Sequence, residues 1–265
     1  MHKPIICFDF DGTLVNHQGE MHPMDKEILQ RDDPPAYFIT ATGRSLEAVH
    51  STFIKHGLFE GVPFPFPSIT LNGGQVSDAG GKSIAYFSFD IETQHKVIEL
   101  TEGFPSVTFL LLDQFNVYLV DPDETGMRRA GKYEMYPIPY APQLKDLSFC
   151  KLMCLSDEHD SLLKIAESAS DFQVESAFSM QTIFELTPLG VNKGSSLSYL
   201  LNVLKLEGVP LYAAGDGGND LAMLNLADVS FTAETSPEYI RQAVDHVIDI
   251  EHEGLLTPIL KTLSI

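Results

Sequence analysis

Short apolar segments alternate with helix-forming segments at both ends of this chain, and this alternation narrows the possible folds more than any other feature. Such a pattern is typical of a parallel sheet with helices packed on its faces. We therefore expect the two ends to build one doubly wound, Rossmann-like α/β domain that binds ligands at the carboxyl ends of its strands. The predicted strands are 4–10, 36–40, 68–71, 210–214, 229–232 and 246–250, and the predicted helices are 24–30, 45–56, 193–205, 237–244 and 253–263, with a further helix from residue 221.

The middle of the chain has a different order of elements. A strand, a helix and a pair of strands are predicted twice in succession, which indicates an antiparallel sheet with helices on one face. We predict a core domain at residues 1–74 and 187–265 and an inserted α+β domain at residues 75–186. The predicted strands lie at 84–89, within 107–120, at 147–155 and within 172–186, the helices lie at 91–102 and 158–168, and the stretch 121–143 is polar and contains prolines.

The composition restricts the partners of the protein. The chain has 17 basic and 37 acidic side chains, which gives a net charge of −20 at pH 7. This charge argues against binding to nucleic acids or to anionic membranes, so an anionic substrate must be attracted by local positive charge. No apolar run approaches the roughly 20 residues that span a bilayer. The N-terminus lacks the layout of a signal peptide, so we expect a cytoplasmic protein, either a monomer or a small homo-oligomer.

Two carboxylates follow the first apolar strand, at Asp9 and Asp11, and a Gly-Thr turn comes after them. Like charges this close repel each other unless a cation or a shared proton intervenes. The pair therefore implies a divalent metal, a proton-transfer partner or both, and a carboxylate can also attack phosphorus. On this interpretation Asp9 is the nucleophile and a metal ligand, while Asp11 is the acid/base. The alternative is a solvated turn, because Asp-Gly is a common turn dipeptide.

A second polar segment, with Thr42, Gly43 and Arg44, lies between a predicted strand and a predicted helix. Backbone N–H groups at the start of a helix favour an anion, so these residues are candidates for phosphate or substrate binding. Ser45 is expected to cap the helix. For Thr42 alone, capping is the simpler role, and Arg44 alone would be read as a surface charge.

Two further polar segments lie near the C-terminal strands. Lys193 opens a helix, where a cation is unfavourable, and this position suggests a role in neutralising phosphate and carboxylate charge. Asp216, Asn219 and Asp220 lie in a Gly-rich turn after an apolar strand. Asp216 is a candidate Mg²⁺ ligand, Asn219 a candidate phosphate donor, and Asp220 either a metal ligand or the partner that orients Lys193. Taken alone, Lys193 could be an ordinary solvent-exposed lysine, and the Gly-rich segment could be a turn that ends in a helix cap.

All four polar segments fall at the ligand-binding edge of one predicted sheet. Four independent coincidences at that edge are improbable. Together the segments supply a nucleophile, an acid/base, metal ligands, phosphate donors and a cation, which are the requirements of phosphoryl transfer.

These motifs resemble those of the haloacid dehalogenase (HAD) superfamily, and more narrowly those of its Cof-type phosphatases, which carry an inserted α/β cap domain. The resemblance extends over nearly the whole chain. It departs from the usual pattern at residues 230–237, where Phe231 and Glu234 are larger or more charged than the family's small residues. The matching segments are 9–14, 42–44, 193–194 and 215–224.

The resemblance implies a mechanism and a set of site residues. Asp9 attacks phosphorus, and Asp11 protonates the leaving alkoxide and then activates the hydrolytic water, while the cap closes over the site. Mg²⁺ is held by Asp9, the backbone carbonyl of Asp11 and Asp216, with Asp220 as a further candidate ligand. The implied phosphate and substrate contacts come from Thr42, Gly43, Arg44 and Asn219, and Lys193 steadies the charge.

The predicted function is therefore a Mg²⁺-dependent phosphatase of a small-molecule phosphate ester, such as a sugar phosphate or a phosphorylated cofactor. A phosphomutase or phosphotransferase would use the same aspartyl phosphate with another acceptor. A regulatory protein that binds metal and phosphate, with weak catalysis, is a third possibility.

Overall fold

The computed structural model describes residues 3–141 and 147–263. The N-terminal part begins with alternating strands and helices, as the sequence pattern predicted. Ser45 caps the second helix, since its Oγ accepts a hydrogen bond from the backbone N–H of Ala48 at 3.2 Å. The elements are β1 (Ile5–Phe8), α1 (Pro23–Leu29), β2 (Tyr37–Ala41), α2 (Leu46–Lys55), β3 (Ser68–Thr70), β4 (Gln75–Ser77) and β5 (Ser83–Tyr86).

The middle part contains the predicted helices and strand pairs of both groups and the predicted first strand of the second group. The strand predicted at 84–89 is shorter than expected: it is β5, which ends at Tyr86 and belongs to the sheet of the terminal parts. The elements of the middle part are α3 (Ile91–Glu102), β6 (Thr108–Leu112), β7 (Val117–Val120), α4 (Glu124–Gly131), β8 (Ile138–Pro139), β9 (Lys151–Leu155), α5 (His159–Ala169), β10 (Val174–Met180) and β11 (Ile183–Pro188).

The C-terminal part returns to alternation, with shorter helices than the pattern predicted. Its elements are α6 (Lys193–Val203), β12 (Leu211–Ala214), α7 (Leu221–Leu224), β13 (Val229–Ala233), α8 (Glu238–Arg241), β14 (His246–Ile248), α9 (Ile250–Glu253) and α10 (Leu256–Thr262). Within the described residues, no helix has both the length and the apolar character needed to cross a membrane.

The terminal parts share one eight-stranded sheet in the order β14-β13-β12-β1-β2-β3-β4-β5. The first six strands of this order are parallel to one another, and β4 is antiparallel to β3. Every residue of β1 is fully buried, which explains why this strand reads as an uninterrupted apolar run. The carboxyl ends of β1, β2, β3 and β12 therefore lie side by side at one edge of the sheet.

The middle part has its own six-stranded sheet in the order β10-β11-β9-β6-β7-β8. It is antiparallel except for the short pairing of β7 with β8. Side chains from one face of this sheet form a separate hydrophobic core with α3 and α5, in which Val97, Leu152 and Leu162 are fully buried.

The chain folds into two compact units, one up to Ala85 and from Asn192, the other Tyr86–Val191. Both boundaries lie later in the chain than the predicted ones, after residues 74 and 186. The first differs because β4 and β5 extend the core sheet instead of starting a new domain. The second differs because the strand that precedes α6 continues to Pro188.

Candidate active site

A buried lysine lies between two carboxylates at the centre of the predicted site. Lys193 Nζ donates to Asp9 Oδ1 at 2.9 Å and to Asp220 Oδ1 at 2.7 Å. Lys193 and Asp220 are fully buried, and Asp9 is 6% exposed. Burial alone would lower the pKa of Lys193, but the carboxylates of Asp220 and Asp9 raise it above its ordinary value. The lysine is therefore a permanent cation that fixes the orientation of the Asp9 carboxylate.

Three carboxylates come close together around this lysine. One oxygen each from Asp9, Asp216 and Asp220 lies within 4.8 Å of the other two. Burial, together with repulsion from neighbouring carboxylates, raises the pKa values of Asp9 and Asp216 above their usual range. When ionised, three carboxylates around one lysine carry more negative charge than the lysine neutralises, and oxygen ligands of this kind suit Mg²⁺.

Both carboxylate oxygens of Asp220 already accept hydrogen bonds within this cluster. Its Oδ2 accepts hydrogen bonds from the backbone N–H groups of Asp216 at 3.1 Å and Gly217 at 2.9 Å, while its Oδ1 accepts from Lys193. Gly215 allows this packing, since a Cβ there would lie 2.4 Å from Asp220 Cγ. Of its two predicted roles, the contacts favour the orientation of Lys193 over direct ligation of a metal.

Gly12 brings the first motif close to Asp216. Its φ is +73°, and a Cβ at this position would lie 2.2 Å from Asp216 Oδ2. The next residue, Thr13, donates through Oγ1 to Asp216 Oδ1 at 3.4 Å. The Asp-Gly-Thr sequence therefore packs the turn after β1 directly against the turn after β12.

The Asp11 side chain lies outside the carboxylate cluster. It forms a two-pronged ion pair with Arg44, in which Nε donates to Oδ2 at 2.7 Å and Nη2 to Oδ1 at 2.5 Å. Arg44 also donates through Nη1 to Thr52 Oγ1 at 2.7 Å. The predicted substrate-binding arginine thus holds the predicted acid/base. Ligation of a metal through the Asp11 backbone carbonyl stays a prediction.

The loop after β2 is held by backbone hydrogen bonds. Thr42 is 1% exposed, its N–H donates to Ile69 O at 2.8 Å, and its Oγ1 accepts from the Arg44 N–H at 3.2 Å. Thr42 Oγ1 therefore closes a local turn before the helix and does not cap it, since the cap of α2 is Ser45. Gly43 lies between these two residues at the same edge as Asp9.

Sequence reasoning missed Asn72, which contacts a predicted site residue. Asn219 Nδ2 donates to Asn72 Oδ1 at 3.1 Å, so the turn after β3 reaches the turn after β12. The available signal was the Asn-Gly dipeptide at the end of a strand, which is typical of positive φ. That signal predicts a turn and gives no indication of its partner.

Residues 6–257 match the family model of the haloacid dehalogenase-like hydrolases. The chain belongs to this family. The hydrolase is 24% identical to the protein YwtE of Bacillus subtilis, named a 5-amino-6-(5-phospho-D-ribitylamino)uracil phosphatase, over 89% of its own chain and 90% of the relative. It is also 24% identical to YbjI of Escherichia coli, which has the same named activity, over 98% of its own chain and 96% of the relative.

Solved structures share the fold of this hydrolase over its whole length. The crystal structure of TM0651 from Thermotoga maritima has a TM-score of 0.81 at 23% identity and covers 100% of this chain and 98% of its own. The subclass IIB sugar phosphatase BT4131 has a TM-score of 0.80 at 17% identity and covers 98% of this chain and 99% of its own. The predicted α/β fold, the HAD resemblance and the assignment as a phosphatase-type hydrolase are confirmed.

The departure of this hydrolase from the family pattern, at 230–237, supports the site without entering it. Phe231 is buried in the core, and Glu234 faces solvent. Thr232 Oγ1 donates to Gly215 O at 2.7 Å and lies 2.7 Å from Ser236 Oγ. These contacts hold the turn that carries Asp216.

Proposed function

We propose that this hydrolase is a Mg²⁺-dependent phosphatase of small phosphorylated metabolites in which Asp9 carries the phosphoryl group between two half-reactions. The observation that carries the proposal is the buried Lys193, which fixes Asp9 Oδ1 beside the carboxylates of Asp216 and Asp220. A carboxylate fixed by a cation at a strand end is oriented for attack without leaving its own charge unpaired in the interior.

The charges of the site support a divalent cation. Four carboxylates meet two basic side chains: Arg44 pairs with Asp11, and the single charge of Lys193 is shared between Asp220 and Asp9. The sum leaves two negative charges for a divalent ion, and only Asp9 and Asp216 have an oxygen outside these contacts to offer it. We propose these two as its side-chain ligands, with Asp220 as their anchor. When bound, Mg²⁺ neutralises charge on the phosphoryl oxygens and lowers the repulsion between them and the carboxylates.

In the first half-reaction, an oxygen of Asp9 attacks phosphorus and the bond from phosphorus to the ester oxygen breaks. The departing alkoxide takes the proton that Asp11 carries. Because the Arg44 guanidinium occupies both carboxylate oxygens of Asp11, Asp11 has to leave this ion pair before it reaches the leaving group. Arg44 then becomes available to an anionic substrate, which is its predicted role.

In the second half-reaction, water attacks the phosphorus of the aspartyl phosphate. The ionised Asp11 accepts the proton of this water, the acyl phosphate bond breaks, and Asp9 returns as a carboxylate with release of inorganic phosphate. Thr42, Gly43 and Asn219 hold the phosphoryl oxygens in both steps.

The substrate class is proposed from the relatives. Two of them are named for a ribitylaminouracil phosphate, and a structural neighbour is named a sugar phosphatase. Both names describe phosphate esters of a polyol or a sugar. We propose a primary phosphate ester of a sugar or sugar alcohol for this hydrolase, and a panel of such esters tests the class.

The decisive experiment measures release of inorganic phosphate from p-nitrophenyl phosphate and from the ester panel, with Mg²⁺ and after chelation. We expect activity only with Mg²⁺, and its loss in Asp9→Asn, which keeps the shape of the side chain but removes the nucleophile. Persistent turnover by Asp9→Asn would refute the mechanism. Transfer of phosphate to a second hydroxyl, with little release into water, would identify a phosphotransferase.

A second experiment separates the two half-reactions in Asp11→Asn. The p-nitrophenolate group leaves without a proton, whereas hydrolysis of the aspartyl phosphate needs the base. We expect a burst of p-nitrophenol that approaches one equivalent of enzyme, followed by slow turnover, and a phosphorylated Asp9 peptide after acid quenching. Equal loss of both phases, with no burst, would argue against Asp11 as the base.

A further inference from the structure

The strained turn after β3 has no assigned function, yet it contacts two of the four motifs and the helix end that carries a third. Leu71 and Asn72 both have positive φ, 54° and 56°, although neither is glycine, and Leu71 is fully buried. Backbone of this kind costs about 1 kcal/mol or more per residue and persists only where the surroundings hold it. The contacts of the turn show what holds it.

The backbone of the turn is tied to the loop after β2. Leu71 N–H donates to Arg44 O at 3.0 Å, and Asn72 N–H donates to Thr42 O at 3.0 Å. Both donors of these bonds belong to the residues with left-handed backbone. The turn after β3 thus fixes the backbone that carries Thr42 and Arg44.

Gly73 ties the same turn to the start of α6. A Cβ at Gly73 would lie 2.5 Å from Asn192 O, and its own carbonyl accepts a hydrogen bond from Ser196 Oγ at 2.8 Å. Lys193 lies between these two contact residues in the sequence. The turn is therefore in direct contact with the helix end that presents the buried lysine.

The side chain of Asn72 makes the third connection. Asn72 is 5% exposed, and its Oδ1 accepts from Asn219 Nδ2 at 3.1 Å. An amide nitrogen has two hydrogens, so this bond uses one and leaves the other for an acceptor on the opposite side. The bond to Asn72 also fixes the orientation of the Asn219 amide, because Nδ2 and not Oδ1 has to face the Asn72 acceptor.

We propose that Asn72 is a positioning residue that orients the Asn219 amide as a donor to the phosphoryl group. This inference rests on the proposed function. Asn72 does not touch the substrate; it acts through Asn219, and its left-handed backbone places the Oδ1 acceptor where the Asn219 amide meets it.

The test is a double-mutant cycle with Mg²⁺-loaded protein and p-nitrophenyl phosphate. Asn72→Gly removes the amide but keeps a residue that adopts positive φ without strain. We expect kcat/KM to fall about 100-fold in Asn219→Ala and about tenfold in Asn72→Gly. In the double variant we expect kcat/KM within about twofold of Asn219→Ala, because Asn72 has nothing left to orient.

Two control variants separate orientation from folding. Lys205→Gly relieves another positive φ, 57°, at an exposed position in the same unit, and we expect it to leave kcat/KM unchanged. Asn72→Asp keeps an acceptor oxygen and tolerates the same backbone, so we expect it to retain more activity than Asn72→Gly. The melting temperatures of all variants show whether any loss follows stability instead.

The proposal fails if the Asn72→Gly and Asn219→Ala losses multiply in the double variant, or if Asn72→Gly alone has wild-type kcat/KM. It also fails if Asn219→Ala is fully active while Asp9→Asn is inactive, and in that case the proposed function stands. Should Asn72→Gly not fold, Asn72→Asp carries the test, since a loss as large as that of Asn219→Ala would overturn the proposal.

Discussion

Lys193 is the residue on which the site depends most, because it is buried between two carboxylates. Sequence analysis selected it from a small anomaly, a cation at the wrong end of a helix. The position is unfavourable for the helix dipole alone. Asp9 and Asp220, which follow two different strands, stabilise the cation and outweigh the unfavourable dipole. Such contacts between distant segments cannot be read from the local sequence pattern.

We predict that Lys193→Met destabilises the protein by about 3–5 kcal/mol, because it leaves Asp9 and Asp220 buried without their counter-ion. Urea unfolding without added metal measures this loss. The matched control is Lys205→Met, at an exposed position just beyond the C-terminal end of the same helix, which is expected to change stability by less than about 0.5 kcal/mol. Equal effects of the two variants would contradict the prediction. Lys193→Met is also expected to lose phosphatase activity.

Residue-scale prediction was limited wherever a site contact joins two motifs. The sequence indicates that Asp11 and Arg44 are at the same sheet edge, but not that they pair with each other. It indicates a turn at Asn72, but not a bond to Asn219. Residue type and the position of a strand end can be predicted locally, whereas pairing depends on the twist and spacing of strands that are far apart in sequence.

At the scale of elements, the long apolar strands and the capped helices were predicted well, and the short elements were missed. β4 spans three residues, two of them polar, so it gives no apolar run. α4 contains two glycines, which disfavour helices, and its clearest signal is the Asp123 cap, whose Oδ1 accepts from Gly126 N–H at 2.6 Å. Tertiary contact outweighs propensity here, since a Cβ on Gly126 would lie 3.0 Å from Leu119.

One element depends on a carboxylate from another. Asp25, in α1, is 1% exposed, and its two oxygens accept the N–H groups of Leu255 and Leu256 at 2.8 Å, where α10 begins. Gly254, with φ of 70°, allows this approach, since a Cβ there would lie 2.9 Å from both carboxylate oxygens. Asp25 therefore caps α10 across the domain, and burial raises its pKa to about 6 although both hydrogen bonds oppose the change.

We predict a pH-dependent stability difference between wild type and Asp25→Asn. Because the pKa of Asp25 is raised in the folded state, from 3.8 to about 6, its protonated form favours folding below pH 4. This contribution is lost as the pH rises through 6. The amide does not titrate, so the stability of wild type relative to Asp25→Asn should fall by about 3 kcal/mol between pH 3.5 and pH 7.

Urea unfolding of both proteins at several pH values measures this difference. All other titratable groups are the same in both proteins, so their effects largely cancel in the comparison. A difference that is constant with pH, or that grows as the pH rises, would show that the hydrogen bonds outweigh burial.

At the scale of the whole molecule, the net charge of −20 opposes the binding of an anionic substrate. The site itself is close to neutral once a divalent cation joins four carboxylates, Lys193 and Arg44. Attraction therefore acts over a few ångströms inside the site, while the surrounding protein repels the substrate over a longer range. Salt screens the long-range part more strongly than the buried contacts.

We therefore predict that kcat/KM for a phosphate ester rises severalfold between ionic strengths of about 10 and 100 mM at saturating Mg²⁺, as the Debye length falls from about 30 to about 10 Å. The effect enters through encounter and binding, so kcat at saturating substrate should stay constant and serves as the internal control. A fall in kcat/KM with salt would mean that positive charge at the site dominates the field outside it. That result would contradict the charge balance from which the divalent ion is proposed. Four carboxylates, Lys193 and Arg44 carry a net charge of two negative units, and a divalent ion neutralises them, so no positive charge is left over to attract the substrate from a distance.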